Sequence, residues 1–256
     1  MSIYALLTAV ALLMSGCSSP PSTAQALRVQ VLATFPHDPT MYTQGLEIAD
    51  GVLYEGSGRA GQSRLRAVEL SGAGPGPVLG EATLPAPLFG EGITHTGTRI
   101  WQLTWQDGLA IERDPQTLAE RRRVPYQGEG WGLCHQPDRL VMSDGSDRLT
   151  FRDPVTFAPT GQVAVRLDGA PARHLNELEC TDGVVWANVY LTDRILRIDP
   201  RTGAVTGVVE AGGLLDAAQR AGADVLNGIA AIPGTDEFLI TGKNWPTLFR
   251  VRFIPS

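Results

Sequence analysis

The sequence predicts an all-β fold, a five-bladed β-propeller with four-stranded blades, and a repeat is the first of three observations behind this prediction. A polar or aromatic residue, usually a Gly, an apolar residue, a turn and a β-rich run recur five times. The copies begin 47, 40, 45 and 51 residues apart, a period near that of four-stranded blades. Their first residues are Gln44, Glu91, Trp131, Asn176 and Asn227.

Strand and turn signals inside each copy are the second observation. Every copy reads as a hairpin around a turn, such as Ala49-Asp50-Gly51 or Thr181-Asp182-Gly183. A third strand ends on Asp-Pro in LAIERDP, RLTFRDP and RILRIDP, and a fourth follows in GQVAVRL or GAVTGVV. Only residues 214–221 indicate a helix. Four strands per copy favour a propeller over the alternative, an open pair of β-sandwiches.

The two ends of the repeat array are the third observation. The last copy has three strands, its hairpin and TLFRVRF, whereas the first copy is preceded by an extra strand, LRVQVLATF. If this extra strand completes the last blade, the ring closes with twenty strands. We therefore expect residues 28–256 to form one propeller domain.

The first 27 residues precede the predicted domain and indicate that the protein is exported. The run Ile3–Met14 is apolar and too short to span a bilayer, which is typical of a signal peptide over residues 1–16. Ser15 and Gly16 before Cys17 resemble a bacterial lipobox, so Cys17 is the expected lipid attachment site, with residues 17–27 as a flexible tether. No Lys or Arg precedes the apolar run, and an ordinary cleaved secretory signal is the alternative. We expect a periplasmic or membrane-anchored bacterial lipoprotein.

Composition and cysteine spacing exclude several classes of protein. The net charge of −6 gives no basic footprint for nucleic acid. Cys134 and Cys180 stand 46 residues apart, which matches neither a metal-ligand spacing nor a CxxC redox motif. An export compartment permits a disulfide between them, and two buried thiols are the other possibility.

Equivalent positions of the repeats predict a site on the propeller axis, because the first strand of each blade lines the central channel. A second ring of candidates follows the second strands of the copies. Its members are Trp105, Ser143, Asp144, Asn188, Tyr190 and Lys243. Aromatic residues with a few polar groups are typical of a small-ligand pocket. A polar ring that only binds channel water is the alternative.

Glu91 is the only ionisable residue among the five first positions. Phe89, Trp105 and Trp131 around it would desolvate the carboxyl, raise its pKa and suit it to carry a proton. A single carboxyl argues against a glycosidase, which needs a facing pair of acids. No cluster of acids and histidines predicts a metal site, and no nucleophile elbow or triad spacing occurs.

Six segments between about residues 35 and 251 carry a resemblance to a known family. They are HDPTMYTQGLEI, GQSRLRAVEL, FGEGITHTGTRIWQLTW, GWGL with LVMSDGSDRLTFRDP, LNELECTDGVVWANVYLTDRILRIDPRTG, and VLNGIA with LITGKNWPTLF. Together they resemble the glutamine cyclotransferase family, the plant and bacterial type of glutaminyl cyclase. This resemblance implies a five-bladed propeller that needs no metal or other cofactor. It also implies that N-terminal Gln of peptides or proteins is converted to pyroglutamate with release of ammonia.

The same resemblance implies roles for nine residues of this sequence. Glu91 matches the family's catalytic glutamate, and we expect Lys243 to stabilise the oxyanion and Asn176 to orient the substrate. The expected substrate-binding residues are Tyr42, Gln44, Phe89, Trp105, Trp131 and Tyr190. Tyr42 stands where Phe is frequent and Tyr190 where Trp is common. We expect a monomer; a non-catalytic envelope receptor and a structural scaffold are the rival functions.

Overall fold

The computed structural model describes residues 23–72 and 74–256, and this part of the chain has an all-β fold, as predicted. The predicted signal peptide, Cys17 and the first residues of the tether lie outside the described residues. Strand β1 (Gln25–Pro36) starts three residues before the domain boundary expected at residue 28. In the described part no helix is long and apolar enough to cross a membrane.

Three sheets are antiparallel meanders of four strands, each in chain order. The first contains β2 (Thr43–Ala49), β3 (Val52–Ser57), β4 (Arg64–Ser71) and β5 (Gly74–Thr83). The second contains β6 (Gly90–His95), β7 (Ile100–Thr104), β8 (Leu109–Arg113) and β9 (Glu120–Pro125). The third contains β10 (Leu133–Gln136), β11 (Arg139–Met142), β12 (Arg148–Arg152) and β13 (Pro159–Ala164). A two-stranded hairpin that was not predicted follows, β14 (Arg166–Leu167) and β15 (Ala170–Pro171).

The fourth sheet has eight strands and combines the last two repeats with β1. Its remaining strands are β16 (Leu175–Thr181), β17 (Val184–Val189), β18 (Arg194–Ile198), β19 (Val205–Glu210), β20 (Leu226–Ala231), β21 (Glu237–Gly242) and β22 (Thr247–Pro255). Strand β1 pairs antiparallel with β22, as predicted, and its first four residues also pair parallel with β19. That second pairing, which was not predicted, joins the fourth and fifth repeats into one sheet.

The predicted hairpin turns are present, and their geometry explains their residues. Ala49 pairs with Val52 across Asp50 and Gly51, which have φ of 51° and 76°. Two successive left-handed residues give a tight turn whose twist matches the strands, and Asp and Gly tolerate that conformation best. The predicted helix is shorter than the expected 214–221: α1 covers only Ala217–Arg220, with a capping box at Asp216.

The innermost strands of the five repeats contact one another in a closed ring, β2 with β6, β6 with β10, β10 with β16, β16 with β20 and β20 with β2. The Gly of the repeat permits this approach. A Cβ on Gly92 would lie 2.6 Å from the Trp131 carbonyl oxygen, and one on Gly132 would lie 2.1 Å from that of Asn176. The Gly is therefore required by backbone packing between neighbouring sheets.

Buried carboxylates link the innermost strands where their N–H groups have no strand partner. Glu47 accepts a hydrogen bond from the N–H of His95 at 2.9 Å, and Glu179 accepts one from that of Ala231 at 3.2 Å. Glu177 accepts from the N–H groups of Leu46 and Ile229 at 3.2 and 2.8 Å. An innermost strand is a sheet edge, so its free N–H groups need other acceptors. These side chains connect four of the repeats, the first, second, fourth and fifth.

Cys134 on β10 and Cys180 on β16 form a disulfide, which settles the alternative left open by the sequence. Their Cα atoms are 5.4 Å apart. The bond joins the innermost strands of the third and fourth repeats. Apolar side chains fill the space between these sheets, including Leu149, Val165 and Leu178.

Candidate active site

A cavity of about 210 Å³ opens where the innermost strands begin. Its lining comprises Tyr42, Gln44, Phe89, Glu91, Trp105, Trp131, Asn176, Tyr190 and Lys243. These are the nine residues expected from the sequence, and the structure brings all of them together. Of the other second-ring candidates, Ser143, Asp144 and Asn188 do not line the cavity.

Strand pairing explains why residues distant in sequence meet here. Gly90 at the start of β6 pairs with Thr104 at the end of β7, so Phe89 and Trp105 are neighbours. The N–H of Trp105 donates to the Phe89 carbonyl at 2.9 Å. Tyr190 follows β17 and Lys243 follows β21 in the same way. Each hairpin therefore contributes to the cavity at least one residue that lies before its first strand or after its second strand.

β-Bulges occur where the innermost strands carry the site residues. Register shifts lie between Thr43 and Gly45 in β2, and between Gly90 and Ile93 in β6. Equivalent shifts occur between residues 175 and 178 of β16 and between residues 226 and 229 of β20. A bulge inserts a residue and changes the direction of its side chain. Gln44, Glu91 and Asn176 lie within these irregular stretches and face the cavity.

Glu91 is 5% exposed and lies on the cavity wall. Its Oε1 accepts a hydrogen bond from Gln44 Nε2 at 3.0 Å, and its Oε2 has no donor among the described residues. Burial raises the pKa of Glu91 well above its ordinary value; the charge of Lys243 opposes this, and that of Glu129 adds to it. The carboxyl is therefore suited to hold a proton and to release it into the cavity.

Asn227 acts on Glu91 through Gln44, a role that the sequence analysis did not assign to it. The Asn227 side chain is fully buried outside the cavity lining. Its Nδ2 donates to the Thr43 carbonyl at 2.9 Å and to Gln44 Oε1 at 3.2 Å. Because Gln44 Oε1 receives this bond, its amide nitrogen is directed to Glu91. Gln44 therefore orients the carboxyl.

Lys243 brings a buried cation to the same wall. It is 3% exposed, and its Nζ lies 4.9 Å from the ring centroid of Tyr42 and 5.0 Å from that of Tyr190. Desolvation lowers the pKa of Lys243, while the charges of Glu91 and Asp224 oppose this shift. No acceptor among the described residues hydrogen-bonds the ammonium, so its donors are available to a group in the cavity.

Five rings enclose the rest of the cavity in edge-to-face contacts. Phe89 lies 6.3 Å from Tyr42 and 5.6 Å from Trp105, and Trp131 lies 5.5 Å from Tyr190. Burial raises the pKa of the Tyr42 hydroxyl to about 12, so it stays protonated at neutral pH. The Asn176 side chain is 2% exposed and has no hydrogen-bond partner among the described residues. Its amide is thus a free donor and acceptor inside an aromatic enclosure.

Two features escaped the sequence reasoning. Glu129 lies outside the cavity lining and accepts hydrogen bonds from the indole N–H groups of Trp105 and Trp131. The buried carboxyls of Glu47 and Glu177 lie on the innermost strands beyond the first repeat position. A signal for Glu129 was available, because two tryptophans at a mouth need acceptors for their N–H groups and Glu129 stands two residues before Trp131.

Across residues 23–72 and 74–256, no group of three or more His, Cys, Asp or Glu side chains is arranged to hold a metal ion. The site comprises one buried carboxyl, one buried ammonium, two amides and five rings. A small, largely aromatic cavity with a proton-carrying group belongs to the class of enzymes that perform acid–base chemistry on one small group of a substrate.

Comparison with known proteins identifies the family within that class. The family model for glutamine cyclotransferase matches residues 4–253. A glutaminyl-peptide cyclotransferase of Arabidopsis thaliana is 37% identical over 230 residues, covering 88% of this chain and 71% of that protein. The chain belongs to the glutamine cyclotransferase family.

Solved structures agree with this assignment. The glutaminyl cyclase of Myxococcus xanthus superimposes with a TM-score of 0.80 and 38% identity, covering 91% of this chain and 99% of the other. Hydrazine synthase of Kuenenia stuttgartiensis, 12% identical with a TM-score of 0.50, covers 80% of this chain and 56% of that one. This second likeness concerns the fold alone.

Proposed function

We propose that the cavity performs glutaminyl-peptide cyclotransfer with Glu91 as its proton carrier. The reaction converts the N-terminal Gln of a peptide or protein to pyroglutamate and releases ammonia. Family membership and the 37% identity to the Arabidopsis cyclotransferase support the activity. The observation that carries the proton role is the buried carboxyl of Glu91 in an aromatic cavity, with one oxygen that accepts no hydrogen bond from the described residues.

The reaction balances with one proton carrier. The neutral α-amino nitrogen attacks the side-chain amide carbon, and a C–N bond forms to give a tetrahedral intermediate. Glu91 takes the proton that the attacking nitrogen must lose. It then returns this proton to the amide nitrogen, whose C–N bond breaks as ammonia leaves. The nucleophile and the electrophile belong to one residue, so the enzyme needs to hold the cyclising conformer and move one proton.

The other polar residues have roles that fit their surroundings. Lys243 Nζ has no acceptor within residues 23–72 and 74–256 and is proposed to stabilise the oxyanion of the intermediate. The Asn176 amide, which has no hydrogen-bond partner in the part of the chain that the structure describes, is proposed to orient the substrate's carboxamide. Gln44, already bonded to Glu91 and Asn227, is proposed to hold the catalytic carboxyl rather than the substrate. The rings exclude water and contact the first residue of the substrate.

For the architecture we propose a five-bladed propeller in which β1 is the outermost strand of the last blade. The closed ring of innermost strands and the pairing of β1 with β22 support this arrangement. The parallel pairing of β1 with β19 joins two blades at the outer edge.

Export and lipid attachment at Cys17 are further proposals, supported by the apolar segment and the small residues before Cys17. A monomeric state is also proposed, because the ring of innermost strands closes within one chain. Replacement of Cys17 by Ser in the native host should move the protein from the membrane fraction to the soluble periplasmic fraction. Retention of the variant in membranes would contradict the lipid anchor.

The activity is tested by incubating the purified protein with a Gln-initiated peptide and measuring ammonia release and the matching loss of mass. We expect turnover with and without a chelator. Glu91→Gln keeps the acceptor for Gln44 but cannot carry a proton, and it should lower kcat on the order of 10²–10⁴-fold. A silent wild-type enzyme would contradict the function, whereas near-normal turnover by Glu91→Gln would contradict only the role of Glu91.

A further inference from the structure

Glu129 does not line the cavity, yet it contacts two of its walls. The carboxylate lies in the segment between β9 and β10 and is partly exposed. Its Oε2 accepts hydrogen bonds from Trp105 Nε1 at 2.8 Å and from Trp131 Nε1 at 2.9 Å. One oxygen atom therefore connects the aromatic walls contributed by the second and third repeats.

The other oxygen of Glu129 is also occupied, since Gln106 Nε2 donates to Oε1 at 2.8 Å. Hydrogen bonds to an ionised acceptor are shorter and stronger than neutral ones. These three bonds lower the pKa of Glu129 against the opposing effect of its partial burial. The residue thus stays ionised, and its acceptors serve protein groups rather than substrate.

Trp105 needs such support more than the other rings do. It is 37% exposed, and its contact with Phe89 covers one edge of the ring. The Gly130 N–H donates to the Trp105 carbonyl at 3.0 Å, so the Glu129 segment is also tied to the Trp105 backbone. Without the carboxylate, the exposed indole would be free to turn away from the cavity.

The charge of Glu129 also affects the pKa of the Glu91 carboxyl. The charges of Lys243 and Glu129 act on Glu91, and Glu91 interacts electrostatically with the Tyr126 hydroxyl. The other titratable groups that line the cavity with Glu91 are the hydroxyls of Tyr42 and Tyr190. Lys243 favours the ionised form of Glu91, and Glu129 favours the protonated form. The two charges therefore change the pKa of Glu91 in opposite directions.

We propose that Glu129 is a positioning residue of the cyclotransferase site, which fixes Trp105 and Trp131 as a pair and acts on Glu91 through its charge. This inference rests on the proposed function. It assigns a further residue to the reaction, one that neither touches the substrate nor lines the cavity.

Two substitutions separate geometry from charge. In Glu129→Gln the new amide oxygen can accept both indole N–H groups, and Gln106 can turn its own amide to meet the new NH₂. The geometry is kept and the charge is lost. Glu129→Ala loses both. Glu210→Gln is the matched control, because Glu210 is an exposed carboxylate paired with Arg194 on an outer strand pair.

The measurement is kcat and KM for a Gln-initiated peptide over a range of pH. For Glu129→Gln we expect KM to stay near the wild-type value and the acidic limb of kcat/KM to move to lower pH. For Glu129→Ala we expect the same shift together with a rise in KM on the order of tenfold, since charge-assisted hydrogen bonds that hold two rings are lost. Glu210→Gln should match the wild type in both respects.

An acidic limb that does not move in Glu129→Gln would overturn the charge role, and an unchanged KM in Glu129→Ala would overturn the positioning role. Near-UV circular dichroism reports on the indoles without turnover: the Ala variant should change the tryptophan bands and the Gln variant should not. If the Ala variant fails to fold, the Gln variant still decides through its pH profile. If the wild type releases no ammonia, the proposed function fails, whereas the dichroism still tests the paired indoles.

Discussion

At the residue scale the site depends on the Glu91 carboxyl, on which a cation, Lys243, and an anion, Glu129, both act. Burial among aromatic rings makes the ionised form of Glu91 costly, so the residue holds a proton more tightly than an exposed glutamate. Lys243 and Glu129 then adjust this affinity in opposite directions. Replacement of Gln44 would leave Glu91 Oε1 without its donor, so the orientation of the carboxyl and its proton affinity are linked.

Lys243→Met should lower kcat by about 10²-fold, because a donor to the developing oxyanion is lost while the apolar stem is kept. The acidic limb of kcat/KM should also move to higher pH, since removal of the cation raises the pKa of Glu91. The measurement is the pH profile of ammonia release. An unchanged kcat would remove Lys243 from the mechanism. A limb that moves to lower pH would contradict the electrostatic argument.

At the scale of elements, four of the five innermost strands have a bulge near their start, and these bulges direct side chains to the site. The strands β2, β6, β16 and β20 all lose regular register where a site residue or its support stands. The Gly that follows in most copies lets the neighbouring strand approach. In the fourth copy Glu177 occupies that position, and its two carboxyl oxygens accept hydrogen bonds from N–H groups of two other strands.

This explains which parts of the fold and site the sequence predicts. Strand period, turn residues and the extra first strand follow from local patterns, and with the family resemblance they predict all nine cavity residues. Contacts such as Asn227 to Gln44 and Glu129 to the tryptophans depend on side-chain direction after a bulge or turn. The parallel pairing of β1 with β19 and the hairpin of β14 and β15 depend on tertiary packing, so no period in the sequence marks them.

The disulfide between β10 and β16 offers a test at this scale. Replacing both Cys134 and Cys180 by Ala should lower the free energy of unfolding by about 4 kcal/mol, from the entropy of the closed loop in the unfolded chain. The loop spans 46 residues. Denaturant titration measures the loss, and reduction of the wild type should give a similar one. Because neither sulfur lines the cavity, kcat at 25 °C should stay near normal; a large fall would show that the bond shapes the site.

At the scale of the whole molecule, the ring of innermost strands encloses three glutamate carboxyls for which ionisation is unfavourable. Enclosure raises the pKa of Glu47 from its ordinary 4.5 to about 7, and it raises those of Glu177 and Glu179 well above their ordinary value. Such carboxyls bind protons in the folded protein that they release in the unfolded chain. Their contribution to stability is complete below about pH 4.5 and is lost as the pH rises through the folded pKa.

We therefore expect the Tm to fall between pH 5 and pH 8, and Glu47→Gln to make this fall smaller. The new amide oxygen still accepts the His95 N–H, while the ionisable group is gone. Calorimetry at several pH values measures both curves. Glu210→Gln, an exposed change, should keep the wild-type fall. A Tm that is constant over this range, or an unchanged slope in Glu47→Gln, would contradict the linkage.

The two pairings of β1 also impose an order on folding. The strand emerges from the ribosome before every other described strand, but its partners β19 and β22 are made after most of the chain. Contacts between segments so far apart in sequence close large loops and form slowly. Until β22 arrives, β1 carries a row of unpaired backbone groups and apolar side chains that other chains could bind. A nascent chain should thus be most prone to aggregation just before its last strand is released.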